Sequence, residues 1–211
     1  MLIKFLEFMS YSEFTTLDKV KKAFSLIIEE DHNLFAQIEG VVLSDYLQQT
    51  LKEYLPLATA INTEKARSEF LIAPVLAELR RLANYQVSLF SGTEFDVDQE
   101  KGLSGYCDYI ISCSKEQYFI SVPVVTIVEA KNENIKGGLG QCIAEMVAAQ
   151  IFNQQEHHPL AEIYGVVSTG TVWKFLILKD DVVFIDSQEY YINQVNIILA
   201  IMLLPITTLL S

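Results

Sequence analysis

Positive charge is scarce in this chain. Of 211 residues, 15 are Lys or Arg and 27 are Asp or Glu, a formal charge of −12. A protein that coats nucleic acid or an anionic membrane through its overall field needs the opposite balance, so both roles are excluded; a local basic site is not. Cysteine is scarce too: Cys107, Cys113 and Cys142 are an odd number with neither staple-like nor zinc-like spacing. They read as small buried hydrophobes of a reducing, cytoplasmic compartment. Only three histidines occur, and His157-His158 before Pro159 reads as an exposed loop without a third zinc ligand. No Pro/Gly/Ser-rich linker, repeat or low-complexity stretch divides the chain. The start, MLIKFLEFMSYSEF, lacks a long apolar run and a small-residue cleavage site, so no signal peptide is expected. One long apolar run exists, Val195–Leu204. It falls short of the ~20 residues a bilayer span needs, contains Asn196 and lacks a basic flank, so it reads as a buried terminal helix with no membrane partner.

What is present is a globular composition. With 51% apolar and 20% charged residues, disorder is excluded. The length points to one domain spanning 1–211. Residues 1–60 read as a helical N-terminal extension. Thr16 caps a helix through Leu17, Val20, Phe24 and Ile27, and Val41–Leu55 carries a second that stops before Pro56. A third starts near Thr63, with Pro74 expected to kink or break it. After Asn84 the pattern turns to strands: Tyr85–Ser91, Gly105–Ser112 and Tyr118–Ala130, the last two joined by a hairpin at Ser114. Gly137-Gly138 breaks the chain before a helix at Leu139–Phe152. Strands follow at Ile163–Ser168, Val172–Leu178 and Val182–Ile185, and an apolar helix at 190–211 closes the chain. The strand–helix–strand unit forces a parallel pair, so the fold class is α/β (α+β), a mixed sheet flanked by helices.

The informative constellation is Asp108, Glu129 and Lys131, with Glu69 upstream and Gln141 downstream. Glu129 and Lys131 lie two apart and share one strand face, while Ala130 points to the other. They end an apolar, central strand, where charge demands a partner. Antiparallel pairing across the Ser114 turn brings Asp108 near Glu129. Two adjacent carboxylates repel, and a divalent cation compensates them, with Lys131 offsetting part of the charge.

Glu69 on a helix, Asp108, Glu129-Ala130-Lys131 and Gln141 on the next helix resemble the PD-(D/E)XK nuclease superfamily, whose fold is that of restriction endonucleases. The resemblance covers residues 63–185, including the strand pair at Tyr164–Phe175. It departs at Cys107-Asp108, where the family has Pro-Asp. The whole chain also resembles a group of uncharacterised proteins frequent in cyanobacteria. The resemblance implies that Asp108, Glu129 and the Ala130 carbonyl hold Mg²⁺ or Mn²⁺. It further implies that Lys131 stabilises charge beside the attacking water, Glu69 holds a metal-bound water or second ion, and Gln141 orients Lys131 or the water. Hydrolysis of a phosphodiester in nucleic acid, DNA in the first place, follows as the expected activity.

Three features temper this reading. Residues 141–211 net −5, so a nuclease of this charge needs a basic partner protein, a local Arg/Lys patch or a small nucleic-acid product as substrate. Arg67, Arg80 and Arg81 on the Glu69 helix are the available patch. The alternative is a catalytically silent nuclease fold acting as an interaction or assembly module, since fold does not fix function; the apolar C-terminal run would suit a homodimer. Glu94–Glu100 reads as a solvated acidic turn, Trp173 as packing rather than a stacking platform, and Gly137-Gly138-x-Gly140 as a helix-start turn.

Overall fold

A computed structural model describes residues 10–210; the first nine residues, on which most of the signal-peptide expectation rests, lie outside it, as does Ser211. In chain order the elements are α1 (Leu17–Phe24), β1 (Ile27–Glu29), α2 (Asp45–Ile61), α3 (Glu64–Arg67), a π-helical turn (Ser68–Ile72) and α4 (Ala73–Leu82). Then come β2 (Ser88–Glu94), β3 (Tyr106–Ser112), β4 (Val124–Ala130), α5 (Ile135–Gln155), β5 (Ile163–Ser168), β6 (Val172–Lys179), β7 (Val182–Ile185), β8 (Tyr190–Tyr191) and α6 (Val195–Leu210). The strands form one mixed sheet in the order β1-β7-β6-β5-β4-β3-β2, with β8 paired to β6. β4 and β5 are parallel and joined by α5, as the strand–helix–strand pattern requires. β1 and β7 are also parallel, and the remaining pairs are antiparallel.

Both faces of the sheet are covered, which explains why β4 is buried at every position. On one face Cys142, Ile143 and Met146 of α5 pack with Ile110, Ile127 and Val167. On the other, Leu76 and Leu79 of α4 and Ile198, Leu199 and Ile201 of α6 pack with Tyr109, Val125 and Val128. The terminal run is therefore a core-packed helix, as expected, but it reaches Leu210 and carries Pro205 inside it. Together with the turn before it, Ile192–Leu210 is 19 residues long with hydropathy 1.8, long and apolar enough to cross a membrane by length and composition; 44% of it is buried.

The helical reading of residues 1–60 is corrected at several points. Thr16 does cap α1, its side chain accepting from Lys19 N. The helix ends at Phe24, because Ser25 adopts a left-handed φ of 56°, and Ile27 joins the sheet edge as part of β1. The 3.6-residue rhythm continued past the true end, since a single left-handed residue leaves no trace in hydrophobic spacing. α2 starts at Asp45 with Ser44 as its cap and runs through Pro56 to Ile61, ending at Asn62 (φ 52°). The strand expected over Tyr118–Ala130 begins only after Pro123, which has no N–H to give a ladder. Tyr118 and Phe119 lie in an exposed loop. Gly137, Gly138 and Gly140 do not precede the helix but sit in its first turns, which Asn134 caps through Gly137 N.

Candidate active site

The antiparallel register pairs Tyr109 with Val128, which sets Asp108 beside Glu129 at the next position. Asp108 Oδ2 accepts a hydrogen bond from Ala130 N at 2.7 Å, crossing from β3 to the end of β4. Glu129 is 1% exposed and forms an ion pair with Lys131. Lys131 leaves β4 with its backbone N–H bound to Ser168 O of β5 at 2.8 Å. Gly138 makes room for it: a Cβ there would stand 2.7 Å from Val167 Cγ1 and 3.0 Å from Lys131 Cγ.

Gln141, one turn further along α5, donates from Nε2 to Glu129 Oε2 (3.1 Å) and to Glu145 Oε1 (3.1 Å). Glu145 is fully buried, and its Oε2 has no hydrogen-bond partner. This residue escaped the sequence reading. Its signal was available: Gln141 and Glu145 are four apart and share a helix face. Glu129 thus lies between Asp108 on the neighbouring strand and, through Gln141, Glu145 on α5, with Lys131 paired to it. Burial, then the charge of Asp108, pushes Glu129 up to about 8, against the opposing pull of Lys131. Burial, then Glu129, holds Glu145 far above the usual carboxylate range. Burial alone would lower Lys131, but the Glu129 charge and hydrogen bond outweigh it, and the ammonium stays protonated.

Glu69 stands apart from this row. It is exposed and ion-paired to Lys65 at 2.7 Å. It lines an open cleft of about 260 Å³ together with Ser68, Ser91, Asp108, Tyr109 and Ala130. Its segment is the π-helical turn, which resolves the strain expected at Pro74: the ring sits just after the turn, where α4 restarts. Ser68 is pinned to the sheet by Tyr109, Oγ to phenol oxygen at 2.6 Å. The turn thereby aims Glu69 into the cleft that Asp108 and Ala130 enter from the sheet.

The remaining sequence candidates separate cleanly. Trp173 is fully buried, its Nε1 donating to Gly170 O at 3.1 Å, so it packs. Cys107 and Cys142 are buried thiols, and Cys113 is half-buried. His157 and His158 lie in an exposed turn. Asp96 and Asp98 hold the acidic loop together by accepting from Gly105 N (2.8 Å) and Lys101 N (3.2 Å). Arg67 is buried against the neutral acceptors Asn62, Thr169 and Thr171, and Arg81 is locked to Glu78, while Arg80, bonded to Val87 O, has no carboxylate partner among the described residues.

A divalent cation fits the donor set present. Asp108, Glu129 and the Ala130 carbonyl are hard oxygen donors of the type such a cation takes. Among the described residues no three His, Cys, Asp or Glu side chains converge as a ready metal cage. Such a site would rest on two carboxylates and the carbonyl, with Glu69 reaching it only across the cleft. Comparison of the chain with family profiles, with curated proteins and with solved structures returned no match.

Proposed function

We propose that this protein is a metal-dependent nuclease of the PD-(D/E)XK type, hydrolysing phosphodiester bonds in nucleic acid. The observation that carries the reading is the row Asp108–Glu129–Lys131–Gln141, held at the C-terminal end of a central buried strand. Buried carboxyl groups with raised pKa values beside a lysine, at the end of a central strand, are features that cluster at functional sites. Asp108, Glu129 and the Ala130 carbonyl would hold Mg²⁺ or Mn²⁺. When bound, the ion supplies a Lewis acid for the phosphate oxygen and lowers the pKa of water. Lys131 offers its ammonium to the negative charge that develops on the phosphate. Gln141 fixes the rotamer of Glu129 by bonding the carboxylate oxygen that Lys131 does not take. Glu69 closes the far wall of the cleft.

The test is cleavage of single- and double-stranded DNA and of RNA with Mg²⁺ or Mn²⁺. Loss of cleavage in Asp108→Asn, Glu129→Gln and Lys131→Met supports the reading; absence of cleavage by the wild type with either ion on every substrate overturns it. The net charge of −12 favours a second reading, a silent fold that binds partners. It predicts metal binding by titration calorimetry without turnover.

A further inference from the structure

A cavity of about 500 Å³ does not belong to the acidic row. It lies between α4 and the edge strand β2 and is lined by Tyr46, Arg80, Tyr85 and Gln117, over a floor of Leu89 and Ala77. Its wall is well built. Glu78, 4% exposed, accepts from Ser44 N and Ser44 Oγ at 2.9 Å each and from Arg81 at 2.7 and 2.8 Å. Those bonds tie the start of α2 to α4 and so set Tyr46 at the cleft mouth. Arg80 lies over the Tyr85 ring, 5.3 Å from its centroid, with Nε held by Val87 O at 3.2 Å. Tyr46 and Tyr85 remain 79% and 57% exposed.

The cleft and the acidic site share a seam. Both lie between the Glu64–Leu82 helical segment and β2, touching Leu89 in one case and Ser91 in the other. Those two residues are roughly 7 Å apart on the same strand face. Of the three arginines on this segment, Arg81 is paired with Glu78 and Arg67 is buried on the neutral acceptors Asn62, Thr169 and Thr171, which leaves Arg80 as the arginine that lines this cleft without a carboxylate partner among the described residues. An added peptide strand does not suit the seam, because the Gln117 amide already takes both Leu89 N–H (3.3 Å) and Leu89 C=O (2.8 Å). Two exposed rings and one cation suit unpaired bases: stacking supplies affinity without the broad positive field that a duplex backbone requires and that this chain lacks.

We propose that the Tyr46–Arg80–Tyr85 cleft is a binding subsite for single-stranded nucleic acid, whose strand continues along the α4–β2 seam toward Asp108 and Glu129. The inference rests on the nuclease reading for its direction but is measured without turnover. A fluorescein-labelled oligothymidylate of about twelve nucleotides is titrated with protein in EDTA and low salt, alongside the same strand annealed to its complement. Wild type binds the single strand more tightly than the duplex. Tyr46→Ala, Tyr85→Ala and Arg80→Gln each weaken single-strand binding about fivefold or more, the range of one lost stacking contact. Melting curves confirm folding, and Tyr46→Ala alone suffices if Arg80→Gln unfolds the helix end. No binding by the wild type, duplex binding as tight as single-strand binding, or affinity indifferent to all three substitutions overturns the subsite. If cleavage fails while the three variants still weaken binding, the nuclease reading falls and the subsite stands; if cleavage persists with indifferent variants, the reverse holds.

Discussion

Two buried glutamates on opposite sides of the sheet behave in opposite ways. Glu78 is 4% exposed and Glu129 is 1% exposed. Glu78 accepts four hydrogen bonds, two of them from Arg81, and that guanidinium first of all holds its carboxyl down at about 2. Glu129 has one ammonium and one amide, with Asp108 beside it and Glu145 behind, and its carboxyl is raised. Both side chains are nearly inaccessible, and burial is the first cause that raises Glu129; at Glu78 burial pushes the same way but is outweighed by the Arg81 guanidinium and the Ser44 donors. A satisfied buried carboxylate builds structure; a crowded one is costly to keep, which is why the proposed active site is placed at Glu129 rather than in the larger cleft beside Glu78.

The strongest break of this comparison is a pair of substitutions. Glu129→Gln is expected to reduce nucleic-acid cleavage by about a thousandfold or more while leaving the melting temperature near wild type, because it removes one of three crowded carboxyls. Glu78→Ala should do the reverse on stability. Removing it strands Arg81 and the Ser44 cap and costs about 3 kcal/mol, a fall of roughly 6–12 °C for a domain of this size. Calorimetric melts of both variants against cleavage rates check the contrast. A melting temperature lowered as far by Glu129→Gln as by Glu78→Ala would erase it.

The pH dependence sharpens the same contrast. In the unfolded chain both glutamates titrate near 4.5. Folded Glu129 keeps its proton up to about 8. The unfolded state therefore loses protons first, and metal-free stability falls as pH rises from 4.5 to about 8. Glu145, raised in the same direction, steepens that limb. Glu78 acts oppositely: its contribution is fully present above 4.5 and is lost as pH drops toward about 2. Denaturant melts across pH should show Glu129→Gln flattening the neutral limb and Glu78→Gln flattening the acid limb.

The smallest effect concerns the cap that Glu78 supports. Ser44→Ala removes the side chain that accepts from Leu47 N and donates to Glu78, costing about 1 kcal/mol. The maximal cleavage rate of this variant should stay close to wild type, while any displacement of Tyr46 shows as weaker single-strand binding. A larger loss of cleavage than of stability would tie the α2 start to the acidic row, which the separation of the two clusters opposes.

Much of the site was legible because its parts are local. Glu129 and Lys131 fall on one strand face by alternation, and Gln141 follows on the next helix within a strand–helix–strand unit whose handedness is fixed. Asp108 needed only the antiparallel register of neighbouring strands. Glu145 was missed although it lies one turn beyond Gln141, because a glutamate on a helix reads as solvated until the helix is known to be buried on that face. The end of α1, the continuation of α2 past Pro56 and the exposed Tyr118–Phe119 loop were misjudged for another reason. Single-residue backbone states leave no periodic signal.

Alternation, helical spacing and the Glu-x-Lys ending of an apolar strand determined, from sequence alone, the mixed sheet and the charged row at its centre. Those signals operate over a few residues, where chain geometry fixes the facing. The tertiary structure decided the rest. It sent Arg81 to Glu78, buried Arg67 in the Thr169–Thr171 turn, left Arg80 over Tyr85 and set Glu145 behind Gln141. Whether a charge is compensated depends on partners far apart in sequence, and only the packed chain brings those together.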